Sequence, residues 1–173
     1  MKKVAKFEKV SFQQFKNDWI DTFENQNFSD DEIKQTYDSI VLPKRATLGS
    51  AGYDFFLPLN VELKPNETLK VPTGIRVSIE EGWVLKVYPR SGLGFKFRLQ
   101  LDNTVGIIDS DYYNAKNEGH IFLKITNDTN KDKCVSLNKG EGFAQGIFVE
   151  YGITFDDEVS AIREGGFGST TKK

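Results

Sequence analysis

TLKVPTGIRVSIEEGWVLKVYP, residues 68–89, reads as two extended runs, TLKVPTGIRVSI and WVLKVYP, separated at Gly82. Short apolar stretches bounded by Gly and Pro are the pattern of strands rather than of helices. The same texture continues outward from this segment. YDFFLP (53–58) precedes it; FRLQLD (97–102), TVGIID (104–109), HIFLKITN (120–127), KCVSLN (133–138) and FAQGIFVEY (143–151) follow. Frequent turn residues and the lack of long helical patterns between these runs predict an all-β barrel or sandwich from Pro43 onward. No internal repeat is evident.

The first forty residues differ. Ser11 with Gln14 fits a capping box, and QQFKNDWIDTF (13–23) places Phe15, Trp19, Ile20 and Phe23 on one helical stripe. Ser29 with Glu32 predicts a second capped helix in DEIKQTYDSI (31–40), which Pro43 limits. Residues 11–40 therefore read as a helical hairpin attached to the main domain, after a short strand in residues 3–9. The expected division is 1–42 as extension, 43–162 as β core and 163–173 as a carboxy-terminal arm.

A chain of 173 residues is long enough to bury roughly 70% of its extended surface in one core. With 38% hydrophobic and 28% charged residues it has a folded composition, and a net charge of −2 gives no overall attraction to nucleic acid or anionic membrane. Met-Lys-Lys is followed by no long apolar run, so neither signal peptide nor membrane span is expected. Cys134 is the single cysteine; it fits a reducing, cytoplasmic setting and is expected to pack within a strand. One histidine and one cysteine make a protein-ligated zinc site improbable.

Five stretches carry polar chemistry. In YPRSGLGF (88–95), Arg90 offers a fixed fork of donors and Ser91 a hydroxyl, while Gly92 and Gly94 expose backbone donors; the set suits phosphate, and equally a solvated hairpin. In LDNTVGIIDSDYY (101–113), an apolar run delivers Asp109 and Asp111 to a strand end beside Tyr112 and Tyr113. A carboxylate there activates water, accepts a ligand hydrogen bond or caps the turn. Gly106 permits close approach of a planar base, and Asn103 recognises it or caps a loop. Asp54 follows GSAG, and Gln145 interrupts an apolar strand, where a polar side chain needs a partner. The tail REGGFGSTTKK (163–173) is too poor in aliphatic residues to build a core element, but joins Arg163, Phe167, Ser169 and Thr170, a phosphate partner, an aromatic platform and two hydroxyls.

Taken in order, ATLGSAGYDFF (46–56), YPRSGLGF (88–95), NTVGIIDSDYY (103–113), GEGFAQGIF (140–148) and REGGFGST (163–170) closely resemble the five motifs of the homotrimeric dUTPases. The amino-terminal helices and the spacing before PRSG look most like Gram-positive bacterial and phage forms. The resemblance implies a jelly-roll-like β barrel, a homotrimer with three shared sites, and a flexible closing arm. It implies hydrolysis of dUTP to dUMP and pyrophosphate, limiting uracil in DNA and supplying dUMP.

By that resemblance Asp109 activates the water that attacks the α-phosphorus. Tyr112 lies under the deoxyribose, excluding a 2′-hydroxyl. Asn103, Gly106 and Ile108 recognise uracil. Arg90, Ser91, Gly92 and Gln145 hold phosphates. From the arm, Arg163, Gly168, Ser169 and Thr170 hold the terminal phosphates and Phe167 closes over the base. Mg²⁺ is implied on the triphosphate, with no direct protein ligand and Asp54 in its outer shell.

Two departures stand out in the arm: a single residue, Glu164, separates Arg163 from GGFG, and Thr171 stands where glycine is usual. YNAKNEG (113–119) is longer than the usual turn; it is expected to be an exposed insertion, with His120 at its base. The nearest enzymatic rival is a dCTP deaminase, whose pattern is not evident. A rival of another class is a regulatory protein-binding role on the same scaffold, through residues 11–40 or 113–119.

Overall fold

The computed structural model describes residues 1–24, 26–161, 163 and 165. The chain runs β1 (Ala5–Lys9), α1 (Phe12–Thr22), α2 (Asp30–Asp38), β2 (Lys44–Arg45), β3 (Tyr53–Phe56) and β4 (Val61–Leu63). It continues through β5 (Thr68–Pro72), β6 (Ile75–Ile79), β7 (Trp83–Pro89), α3 (Ser91–Phe97), β8 (Leu99–Leu101) and β9 (Gly106–Ile108). A 3₁₀ turn (Ser110–Asn114), β10 (Phe122–Asn127), β11 (Val135–Leu137) and β12 (Gly142–Glu150) complete it. The result is mostly β, in open antiparallel sheets with few helices. The largest sheet has the order β2-β3-β12-β7-β9, and β5-β10-β8 forms a second.

The run 68–79 is not one strand. Gly74 has φ +72°, a conformation that suits glycine, and a Cβ there would meet Ile40 Cδ1 at 2.3 Å. The chain turns at this point, so β5 pairs with β10 while β6 pairs with β1. The main core gathers Phe55, Leu85, Val87, Ile125 and Phe143 from facing strands.

A second cluster, Val10, Phe15, Trp19, Phe23 and Ile33, lies under the helices, and Ile40, Leu59 and Leu69 pack against both. Phe15, Trp19 and Phe23 recur every fourth residue and face inward, but Ile20 does not join them: it is 48% exposed. One step around the helix from Trp19 is about 100°, enough to leave the buried stripe. Ser29 and Glu32 form the expected capping box. At Ser11 only half of one forms. Its hydroxyl accepts from the Gln14 amide, but its own amide donates to Glu118, while the Gln14 side chain reaches Asp18.

That Glu118 contact corrects the expected exposed insertion. Residues 113–119 fold back toward β1 and the start of α1: Ala115 is buried, Tyr113 Oη donates to Glu8, and Arg76 stacks on the Tyr113 ring. Cys134 is also corrected, since it is exposed just before β11 rather than packed within a strand.

Candidate active site

Arg90 stands where β7 gives way to α3. The segment expected as a turn or hairpin is a short helix, because the Leu93 and Gly94 amides both bond back to the Arg90 carbonyl at 3.0 Å. The amides of Ser91 and Gly92 precede that first helical bond and are among those a helix start leaves for a ligand. β12 lies between β3 and β7, so Gln145 falls opposite both Asp54 and Tyr88. Its Nε2 donates to the Pro89 carbonyl (3.2 Å), which gives this strand amide its partner. Arg90 Nε lies 3.5 Å from Asp54 Oδ1.

Two glycines make room for this cluster. A Cβ at Gly142 would sit 2.8 Å from Arg90 Nη1, and one at Gly52 would sit 3.0 Å from Gln145 Oε1. Beside Gly142 lies a cleft of about 550 Å³, lined by Arg90, Ser91, Gly92, Lys96, Ser136, Glu141 and Gly142 among others. Two cationic side chains and two hydroxyls against one carboxylate make it a recess of the kind that holds phosphate.

Asp109 sits at the end of β9 as the N-cap residue of the 3₁₀ turn, and its side chain makes no capping bond. The turn-capping alternative therefore fails, and the carboxylate is available for other work. Arg163 takes it: Nη2 lies 2.6 Å from Asp109 Oδ2 and Nε 2.8 Å from Asp111 Oδ1, with the guanidinium 5.7 Å over the Tyr112 ring. Tyr112 is 4% exposed; its hydroxyl donates to the His120 carbonyl (2.7 Å) and accepts from Asn117 Nδ2 (2.9 Å). Burial raises its pKa above the ordinary tyrosine value.

β9 is an edge strand, so main-chain groups on one of its sides face away from β7. Gly106 is packed so closely on Val87 that a Cβ would lie 3.2 Å from its Cβ; Ile107 points outward and Ile108 inward. Asn103 is exposed beside Thr104, whose φ of +67° marks the bend between β8 and β9.

Thus the expected residues fall into two groups. Arg90, Ser91, Gly92, Gln145 and Asp54 gather at one end of β7. The register Leu85↔Ile108 and Val87↔Gly106 puts Asp109 at the other. Six strand residues at about 3.3 Å each leave roughly 20 Å between Arg90 and the position facing Asp109. Phe167, Gly168, Ser169 and Thr170 lie outside the described residues. Among the described residues there is no cluster of three or more His, Cys, Asp or Glu side chains able to hold a metal, and no helix is long and apolar enough to cross a membrane.

The dUTPase family profile matches residues 38–171. The chain belongs to the dUTPase family. The deoxyuridine 5′-triphosphate nucleotidohydrolase of Lactococcus lactis is 43% identical over 134 residues, covering 76% of this chain and 88% of the relative. The crystal structure of a Streptococcus mutans dUTPase is 32% identical, with a TM-score of 0.60 over 86% of this chain and 97% of that one. A staphylococcal phage 80alpha dUTPase solved with dUPNHPP covers 99% of this chain and 100% of its own, at 23% identity and TM-score 0.60, a likeness of fold.

The match to the dUTPase family begins after both amino-terminal helices but for the last residue of α2, so β1 and α1 lie outside it. Sequence reasoning missed several features of this candidate site: Lys96 in the cleft, the spacing role of Gly142, and the pairing of Arg163 with both aspartates. Only Gly142 had a local signal, a glycine that opens an apolar strand directly after Glu141.

Proposed function

We propose that Asp109 is the general base in hydrolysis of dUTP to dUMP and pyrophosphate, accepting a proton from the water that attacks the α-phosphorus. The observation that carries this is the Asp109 carboxylate, free of capping duty, at the end of edge strand β9 and beside buried Tyr112. An ionised carboxylate in hydrogen-bond reach of an in-line water is what the step requires; pyrophosphate leaves toward the opposite donors. Asn103 and the main chain at Gly106 and Ile108 read the uracil edge, where cytosine would leave polar groups unpaired. The Tyr112 ring takes the deoxyribose and leaves a 2′-hydroxyl without room.

The separation of roughly 20 Å favours a homotrimer of jelly-roll barrels with shared sites, because no single triphosphate bridges Asp109 and Arg90 of one chain by hydrogen bonds. In this reading, Arg90, Ser91, Gly92 and Gln145 of a second copy hold the phosphates. The arm of a third brings Arg163, Phe167, Gly168, Ser169 and Thr170, for which Arg163 leaves the Asp109 and Asp111 of its own chain on which it rests here. Mg²⁺ on the triphosphate supplies charge neutralisation and a fixed phosphate geometry. Asp54, tied to Arg90, would reach it only through water. The setting is cytoplasmic. A regulatory protein partner would meet residues 11–40, the part that includes α1 and α2, or residues 113–119.

Pyrophosphate release from dUTP with Mg²⁺, against dCTP, dTTP and UTP, tests the reading. Selective dUTP turnover, reduced at least about 100-fold in Asp109→Asn, is expected. Ammonia and a uracil nucleotide from dCTP, or an undiminished Asp109→Asn enzyme, would refute it.

A further inference from the structure

The Tyr112 hydroxyl donates to the main-chain carbonyl of His120. That carbonyl also accepts from Asn117 Nδ2 (3.4 Å), and the residue that bears it is held on both sides. On its C-terminal side, the Ile121 amide donates to the Ile75 carbonyl (2.9 Å) and the Ile121 carbonyl accepts from Thr73 Oγ1 (2.6 Å). On its own residue, the imidazole is wholly buried, with Phe15 and Phe122 packed beside it. Its Nε2 accepts from the Gly74 amide (2.8 Å), which requires a lone pair there and so places the ring proton on Nδ1. Nδ1 then donates to Asp18 Oδ2 (2.5 Å), an oxygen also held by Gln14 Nε2 one helical turn earlier. Asp18 lies in α1, outside the region matched by the family.

We infer that His120 is a positioning residue: clamped between Asp18 of α1 and the Gly74 amide, it fixes the carbonyl that holds the Tyr112 hydroxyl, so the amino-terminal extension sets the pose of the sugar platform. The inference rests on Tyr112 being that platform. Two further ties from the same extension grip the loop around it, Glu8 on Tyr113 and the Ser11 amide and hydroxyl on Glu118. A side chain that contacts no substrate thereby acts on sugar selection through two hydrogen bonds and one carbonyl.

The test compares kcat and KM for dUTP and UTP, per folded protein, in Asp18→Ala, Asp18→Asn, Tyr112→Phe and Tyr112→Ala enzymes. Asp18→Ala is expected to raise KM for dUTP about five- to tenfold, the scale of one buried hydrogen bond, and to narrow the dUTP-over-UTP ratio of kcat/KM by a similar factor while sparing kcat. Asp18→Asn, whose side-chain oxygen still accepts the Nδ1 proton, should recover most of both. In a Tyr112→Phe background, which keeps the ring but removes the hydroxyl, Asp18→Ala should add nothing to the ratio.

Loss of kcat with KM and the ratio unchanged, or an equal Asp18→Ala effect in both backgrounds, would overturn the inference as a merely structural role. A Tyr112→Ala enzyme with an unchanged ratio would overturn the platform reading and this inference with it; silent Asp18 variants beside an affected Tyr112→Ala would overturn the inference alone. Should Asp18→Ala fail to fold, the chain's single histidine offers a second measurement in the wild-type protein. Nitrogen-15 NMR should show the neutral Nδ1–H tautomer, with signals that move when dUMP binds; an Nε2–H tautomer, or signals indifferent to dUMP, would overturn it.

Discussion

Replacing Gly142 by alanine separates the phosphate cleft from the fold that carries it. The new Cβ would lie 2.8 Å from Arg90 Nη1, 3.3 Å from Cδ and 3.5 Å from Cζ, so the strain falls on the mobile end of one side chain and not on backbone. Gly142 is not among the residues with positive φ, and alanine is therefore accommodated by the strand without backbone strain. To reach ordinary contact the guanidinium must retreat by roughly 0.6 Å, and more if the whole fork turns. A donor displaced on that scale leaves the 2.7–3.2 Å window of a good hydrogen bond, and loses about 1.4–2.7 kcal/mol of phosphate binding, or 10- to 100-fold in kcat/KM. The assay is steady-state pyrophosphate release from dUTP beside a thermal melt. Unchanged stability with this loss is expected. Gly94→Ala is the control: nothing lies within 4 Å of its Cβ, and alanine in α3 should leave activity intact while adding about 0.5–1 kcal/mol of stability. A Gly142→Ala enzyme with wild-type kcat/KM would show that Arg90 is not held where phosphate needs it.

Phe15→Ala should cost about 3–5 kcal/mol in urea unfolding, because Phe15 is wholly buried against Trp19, Tyr37 and His120; a cost under about 1 kcal/mol would mean that the helical cluster is not part of the cooperative unit. Acidification should destabilise the fold in two stages. Burial lowers the His120 pKa below 6.5, against the opposing pull of Asp18 and Glu118 and aided by Lys70, so the unfolded chain takes the proton first. Stability is full above about pH 6.5 and falls as pH drops from there toward the lowered folded value. Glu8, Glu32 and Glu118, also lowered, contribute losses only below about 4.5. Melting temperatures from pH 7.5 to 5 should therefore decline, and a His120→Asn protein should lack that decline; a rise, or a decline retained in His120→Asn, would contradict the assignment.

The strands and both amino-terminal helices were legible because their signals are local: Ser29 three residues before Glu32, or Phe15, Trp19 and Phe23 at intervals of four. What escaped was decided by distant partners. Nothing near Gly74 says that its amide serves a histidine 46 residues away, and so the break inside 68–79 stayed hidden. The SGLGFKF helix was obscured by two glycines of poor helical propensity, overridden by the Arg90 carbonyl and a buried Phe97. VEL (61–63) is not legible as a strand because three residues are too few to show alternation. At the site, the motifs named the chemically able residues, but not that Arg90 and Asp109 occupy opposite ends of β7, since that is a property of sheet register.

That placement has a genetic consequence. If the two ends of β7 serve different sites, a chain damaged at Arg90 and a chain damaged at Asp109 each still carry the half that the other lacks. Random co-assembly of two such inactive alleles would then bring an intact Arg90 to an intact Asp109 at about a quarter of the sites. A cell carrying both lesions on separate copies of the gene would keep a fraction of the activity that either lesion alone abolishes, whereas a cell whose every copy carries both lesions would keep none.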